Sequence, residues 1–334
     1  LLLINFHLRN KDFKQAVSVA QNAVAAIPDS PELQDGLGLA LLASGDTNQA
    51  MSAFNEVSAI QPGSPLPFMR MADAHLAANN KKAAGDSLRR ALAIKPDELD
   101  AQRRLIALLI DEKNINEAVR VARDIQKQNP KVPTGYLLEG EIALSQKNWL
   151  GAADAYRAGL KVIPAPILAV KAHGALLEAG KKDEAEKFAG TWLKDKPADP
   201  IFRTHLGDMA TTRSEFAEAE KQYQAVLKVQ PNNAIVMNNL AWVSGKLNKD
   251  AIPLAQKAVE MAPDQPAFMD TLAGLYSDKG DYAKAVEWQS KAISKAPSQP
   301  MYKLNLAKIH IKGGKKDLAR KELDGLLQKY DTIQ

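Results

Sequence analysis

The 334-residue chain contains no cysteine, which removes disulfides, thiolate nucleophiles and cysteine metal sites from consideration. Aromatic residues make up 6% of it, too few for the stacked-ring surfaces that bind single-stranded nucleic acid. Neither sign of charge dominates: 44 Lys and Arg stand against 39 Asp and Glu, and a net +5 over so long a chain is a weak field for nucleic acid. Lys181-Lys182 and Lys312 with Lys315-Lys316 fall at turns and read as solvated charge. Long apolar runs are also missing. Leu1-Leu2-Leu3-Ile4 falls far short of the roughly 18 residues a membrane-spanning helix needs, and Asn5, His7 and Arg9 break the apolar character immediately after it. The histidines His7, His75, His173, His205 and His310 fall in no metal spacing, and no nucleophile-elbow or phosphate-loop motif is present. Gly36 and Gly38 look like a glycine loop but lie inside a helical pattern. No enzyme, metal site or cofactor is expected, and no nucleic-acid partner.

What is present is a register. Alanine recurs ten times, at Ala16, Ala50, Ala84, Ala118, Ala152, Ala185, Ala219, Ala251, Ala285 and Ala319, at spacings of 32 to 34 residues. A proline follows twelve residues after each of the first nine, from Pro28 and Pro62 to Pro297. A period of this size marks one small helical unit copied and stacked. In the second unit, Leu33, Leu37, Leu41 and Leu42 recur at helical spacing, Ser44-Gly45-Asp46 breaks the pattern, and Ala50, Met51, Phe54, Val57 and Ile60 restart it. One apolar stripe per helix predicts a helical hairpin. Small residues such as Gly38 and Ala50 sit where the paired helices approach closely, so a Leu there would overpack the pair. Gly45, Gly180, Gly280 and Gly314, with Asn79 in the third unit, share a slot between helices that suits a left-handed backbone. The terminal prolines stop the second helices, and Asp29, Asp97, Asn232, Asp264 and Ser298 suit turns and helix starts.

The pattern resembles the tetratricopeptide repeat, with Gly38, Gly140 and Gly207 at its small eighth position and Phe54, Tyr156 and Tyr223 at its aromatic twenty-fourth. The resemblance implies an all-α, right-handed α-solenoid superhelix of about ten hairpins. It sets units near 1–30, 31–64, 65–98, 99–132, 133–165, 166–199, 200–233, 234–265, 266–299 and 300–331, read as one continuous array. The first unit would begin near residue −3 and the chain opens with Leu rather than Met, so a fragment of a longer protein is expected. His173 falls on the crowded eighth position, and His75 and His310 take the eleventh, where the family often has Tyr. No polar cap closes the last hairpin, whose Leu318, Leu323, Leu326 and Leu327 are expected to be partly exposed or to pair with another molecule.

In this family the first helices line a concave groove, and the groove positions single out two stretches. One holds Arg70, Asp73, Arg103, Arg104 and Asp111; the other holds Thr204, His205, Asp208, Asn238, Asn239, Trp242, Asp270 and Thr271. Amides beside an aromatic suit an extended peptide, with the side-chain amides on its backbone and the ring as anchor. The alternative is that these residues are solvated, with Trp242 packed between units. The Lys and Asn clamp of chaperone-binding members is absent, since its positions read Asp35 and Leu39, Met69 and Asp73, Arg103 and Ala107, Thr204 and Asp208. The eighth unit is short: Ala241 to Ala251 spans ten residues where twelve are normal. Its second helix is expected to start late, capped by Asp250, with Pro253 in its first turn.

Asn238-Asn239-Leu240-Ala241-Trp242, Ala258 to Pro263 and Asp270-Thr271-Leu272-Ala273 are also similar to a block of large bacterial repeat lipoproteins that accompany exosortase (PEP-CTERM) and exopolysaccharide systems. Those usually continue with Gly-Trp after the Thr-Leu pair, from which Ala273-Gly274-Leu275-Tyr276 departs here. That resemblance implies a bacterial envelope location, with any membrane attachment through a lipid anchor outside this chain. Three readings stay open: a non-catalytic scaffold for protein or peptide partners, in its narrower form serving exopolysaccharide or surface-protein export; a carbohydrate-binding solenoid; and a cytoplasmic regulator. Self-association through uncapped ends is a further expectation.

Overall fold

The computed structural model describes residues 1–331, with side chains through residue 328. It divides into two compact units, residues 1–185 and 186–334. The first holds α1 (Leu2–Arg9), α2 (Phe13–Ala26), α3 (Pro31–Ser44), α4 (Thr47–Ile60), α5 (Leu66–Ala77), α6 (Lys81–Ile94), α7 (Leu99–Asp111), α8 (Ile115–Gln128), α9 (Thr134–Ser145), α10 (Trp149–Leu160) and α11 (Pro166–Glu178). The division falls within α12 (Lys182–Asp195). The second unit continues with α13 (Pro200–Thr212), α14 (Phe216–Val229), α15 (Ala234–Lys246), α16 (Ile252–Met261), α17 (Pro266–Asp278), α18 (Tyr282–Lys295), α19 (Pro300–Lys312) and α20 (Lys316–Asp331). The protein is thus an all-α repeat solenoid, and among the described residues there is no strand.

The repeating alanines set the packing. All ten are 2% exposed or less, because each lies where the second helix of a pair meets its neighbours. The glycine–ring pairing has the same cause. A Cβ on Gly38 would fall inside the Phe54 ring's contact distance, on Gly140 inside that of Tyr156, and on Gly207 2.5 Å from that of Tyr223. Within each unit consecutive helices pack in sequence, and first helices adjoin first helices: α3 beside α1 and α5, α17 beside α15 and α19.

Helix ends follow local chemistry. Ser30, Asp46, Asn80, Asn148, Asn233 and Asp281 each accept a backbone N–H from the first turn of the next helix. Asp199 does so for Ile201 and Phe202 and also accepts the Trp192 indole N–H at 2.8 Å, tying α12 to the start of α13. Gly45, Gly180, Gly280 and Gly314 adopt the left-handed backbone, as does Asn79; Lys11, Lys113, Lys147, Ser214 and Asn248 occupy the same region. His173 is buried, Leu318 and Leu327 are exposed, and Leu323 and Leu326 are half-buried.

The eighth hairpin is shortened as expected, with one correction. Asn248 turns left-handed after α15, and α16 begins at Ile252 with Pro253 in its first turn. The capping residue is Ala251 rather than Asp250, because the first helical bond runs from the Ala255 N–H to the Ala251 carbonyl. Proline lacks an N–H and tolerates only the first helical positions, so Pro253 fixes the start, and Asp250 lies one residue too early to cap it. The shortening falls at the start of the second helix, which begins one residue after the register alanine where α4, α6, α14 and α18 begin three before it, and Ala251 stays buried.

Candidate functional site

The first stretch singled out by sequence, in the first unit, is largely a ladder of internal ion pairs. Arg70 on α5 forks onto Asp35 on α3, with Nε–Oδ1 at 3.0 Å and Nη2–Oδ2 at 3.3 Å. One repeat on, Arg104 on α7 holds Asp73 on α5 at 2.8 Å and Asp100 on its own helix at 2.8 Å. Asp111, at the end of α7, pairs with Lys81 on α6. Arg103 reaches no carboxylate among the described residues. It borders a 470 Å³ groove between α7 and α9 whose walls include Ile106, Ile110, Leu137 and Ile142, with Glu141 on the opposite side. Four of the five charged candidates therefore bind neighbouring helices of their own unit, and one faces an apolar groove.

The second stretch, in the second unit, is built from amides and two carboxylates around one ring. On α13, Asp208 accepts the Tyr223 hydroxyl of α14 at 2.6 Å and the Asn239 amide of α15 at 3.5 Å. Burial, and then the bond to Asp208, push the Tyr223 phenol well above its ordinary range. Asn239 Oδ1 accepts the Asn238 amide at 3.4 Å. This chain of donors orients both amides and leaves the buried Asn238 Oδ1 as an acceptor with no donor. His205 packs its ring 5.9 Å from that of Phe202, and burial lowers its pKa. Thr204 donates to the Pro200 carbonyl and Thr271 to that of Ala267, so both hydroxyls serve their own helices.

Trp242 stands between two hollows of this face. It is 37% exposed, with Phe216 edge-on at 5.7 Å and the Lys246 ammonium 5.0 Å above the ring. On one side lies a 390 Å³ hollow bordered by Asp208, Thr211, Asn238 and Asn239. On the other, α15, α17, α18 and α19 enclose a 240 Å³ pocket. Asp270 lines it: Oδ1 accepts Gln289 Nε2 at 2.7 Å and Asn305 Nδ2 at 2.9 Å, and Oδ2 accepts the same Asn305 amide at 3.2 Å. The face joins Asp208, Asn238, Asn239, Trp242 and Asp270, while His205 serves the core beside it. Sequence reasoning missed Gln289, Ser277, Lys246 and Lys308, which also line the second pocket. Only Gln289 carried a signal, because it sits four residues after Ala285, where other units place Phe54, Tyr156 or Tyr223.

Among the described residues no group of three or more His, Cys, Asp or Glu is placed to hold a metal ion. No described helix is long and apolar enough to cross a membrane.

Comparison with known families returns one description throughout, tetratricopeptide repeat, matching residues 7–69, then 108–165, 175–234, 206–266 and 239–300, and finally 303–332. No curated protein matches the chain in sequence. Among solved structures, Naa15/Naa10 bound to HypK-THB is similar at 15% identity and a TM-score of 0.40, covering 96% of this chain and 66% of that one. MamA from Desulfovibrio magneticus RS-1 is similar at 20% identity and a TM-score of 0.45, covering 50% of this chain and 96% of that one. Yeast Tom70 is similar at 16% identity and a TM-score of 0.43, covering 96% and 82%.

Proposed function

We propose, from the premise that the chain belongs to the tetratricopeptide repeat family, that it is a non-catalytic scaffold holding an extended peptide on the first-helix face of its second unit. One observation carries this reading: Trp242 projects between two hollows bordered by amides, hydroxyls and carboxylates. An aromatic anchor ringed by polar groups is the usual composition of an interaction hot spot. The family fold supports the coarser part, a scaffold for protein partners. The first unit suits a supporting role, since four of its five charged candidates are committed to neighbouring helices.

A sugar platform needs a bare ring face. Lys246 lies over the Trp242 ring and Phe216 abuts it, so the arrangement favours a peptide. The envelope location, and service to polysaccharide or surface-protein export, belong to the proposal on the strength of the Asn238–Ala273 block alone. Detergent-dependent release of the full-length protein from salt-washed membranes would support that location, and a freely soluble cytosolic protein would remove it.

The test of the scaffold reading is an arrayed peptide library probed with the protein and with its Trp242→Ala variant. Peptides that bind the former and lose the latter are expected. A library without a single Trp242-dependent binder would overturn the reading, as would oligosaccharides that quench Trp242 fluorescence where no peptide does.

A further inference from the structure

The 240 Å³ pocket between α15, α17 and α19 is smaller than the hollows that hold drug-sized ligands, about 300–1,000 Å³, and suits a single large side chain. Its walls are partly apolar, with Trp242, Leu275 and Ile309 contributing, and Gly274 leaves a bare stretch of α17 where an added Cβ would meet nothing within 4 Å. Its polar lining leaves two buried groups without a partner. Gln289 is 1% exposed and commits its amide hydrogens to Asp270 and to the Tyr302 carbonyl, which leaves its Oε1 without a donor. Ser277, 4% exposed, has an unpartnered hydroxyl. Asp270 Oδ2, in contrast to Oδ1, takes one long bond and has room for another.

The rim has the opposite character. Lys312 is matched by Asp278 at 2.7 Å. Lys246 rests over the Trp242 ring and Lys308 on the Asn305 amide oxygen at 3.2 Å, and neither reaches a described carboxylate. The pocket thus offers acceptors inside and uncompensated positive charge outside. The fold also shows which group satisfies such an acceptor. The Tyr223 hydroxyl donates to Asp208 at 2.6 Å, whereas the position of Tyr223 is filled in the ninth hairpin by Gln289, which has no ring.

We propose that this pocket takes a tyrosine side chain from an acidic segment of the partner. The phenol donates to Asp270 Oδ2, the ring packs against Trp242, Leu275 and Ile309, and flanking carboxylates meet Lys246 and Lys308. A donor on the ligand matters because a site built to hydrogen-bond rejects the analogue that leaves its polar groups unpaired. The inference rests on the peptide-binding reading above and names the chemistry of its partner.

Fluorescence anisotropy with labelled peptides tests it: an acidic heptapeptide carrying a central Tyr, the same peptide with Phe or Ala there, and a Tyr peptide flanked by Lys. The acidic Tyr peptide is expected to bind at least tenfold more tightly than each of the others, with affinity falling as salt rises. Gly274→Leu fills the pocket from an open helix face and should weaken that peptide at least tenfold, while circular dichroism and thermal melting show a folded protein. Equal affinity for the Tyr and Phe peptides, or an unchanged affinity in Gly274→Leu, overturns the proposal. If the library yields Trp242-dependent binders that lack acidic tyrosine segments, this inference fails and the scaffold reading stands. A library with no Trp242-dependent binder removes both.

Discussion

Tyr156 and Tyr223 hold the same position in two hairpins, each with its ring against a glycine, and they end differently. The Tyr223 hydroxyl donates to Asp208 at 2.6 Å and lies 3.2 Å from the Thr211 hydroxyl. The Tyr156 residue is 0% exposed and its hydroxyl has no partner among the described residues, although Glu141 follows Gly140 as Asp208 follows Gly207. Burial, with a smaller push from Glu141, raises the Tyr156 phenol to about 12. The repeat register delivers a ring and a carboxylate to both hairpins; the side-chain difference of one methylene accompanies a bond in one and an orphan in the other. The same contrast holds across the two faces. At the candidate residues, charged groups of the first unit join neighbouring helices as Asp35–Arg70 and Asp73–Arg104, whereas in the second unit Asp208 and Asp270 are met by the amides of Asn239 and Asn305, and Lys246 and Lys308 reach no described carboxylate.

The largest effect should come from breaking what the two hairpins share. Gly140→Leu overpacks the Tyr156 ring and should cost about 1–3 kcal/mol. Gly207→Leu should cost that and about 1.5–3 kcal/mol more, because displacing Tyr223 also breaks a hydrogen bond to a charged group. Urea titrations of both variants measure the gap, and equal losses would show that the Tyr223–Asp208 bond contributes nothing.

Removing the hydroxyls alone sharpens the comparison. Tyr223→Phe should destabilise by about 1.5–3 kcal/mol, and Tyr156→Phe should be neutral or stabilising, since it deletes a buried polar atom that nothing satisfies. The same titration decides, and a destabilised Tyr156→Phe would mean that its hydroxyl has a partner in solution.

Much of this was legible in the sequence. Ten alanines in register announced ten buried contacts, and four glycines with Asn79 marked left-handed turns. Lys11, Lys113, Lys147 and Ser214 adopt the same backbone without announcing it, because nothing in lysine or serine favours a positive φ and the flanking helices impose it. The late start of α16 was readable from Pro253; the identity of its cap was not, because proline's own position within the first turn sets the cap. At the site, the repeat positions grouped Trp242 with Asn238 and Asn239, but did not tell that Trp242 is 37% exposed while Asn238 is buried. The ion-pair ladder could not be read either, since its partners lie a repeat apart on different helices and only packing brings them within reach. Gln289 was hidden for another reason: a polar residue on a second helix reads as solvent-facing unless its place in the aromatic slot is noticed.

A smaller effect is expected from the ladder. Asp73 and Arg104 are each about a third exposed, so their pair should be worth about 0.2–1 kcal/mol and weaken with salt. A double-mutant cycle through Asp73→Ala and Arg104→Ala measures it, and library binding should be unchanged in both variants. Lost binding would move the functional face to the first unit.

The smallest effect separates the units by pH. Burial against Phe202 lowers the His205 pKa from its ordinary value of 6.5; Asp208 opposes the shift and Arg213 adds to it. In the unfolded chain the imidazole titrates near that ordinary value, so on acidification the unfolded state takes up the proton first. The stability contributed by the neutral ring is fully present above about pH 6.5 and is lost as pH falls through the lower folded value. Urea midpoints at pH 7.5 and pH 5.5 should therefore differ less in His205→Phe, which keeps a ring beside Phe202 and cannot be protonated, than in the unaltered protein. The same pH dependence in both proteins would place the acid sensitivity on another group.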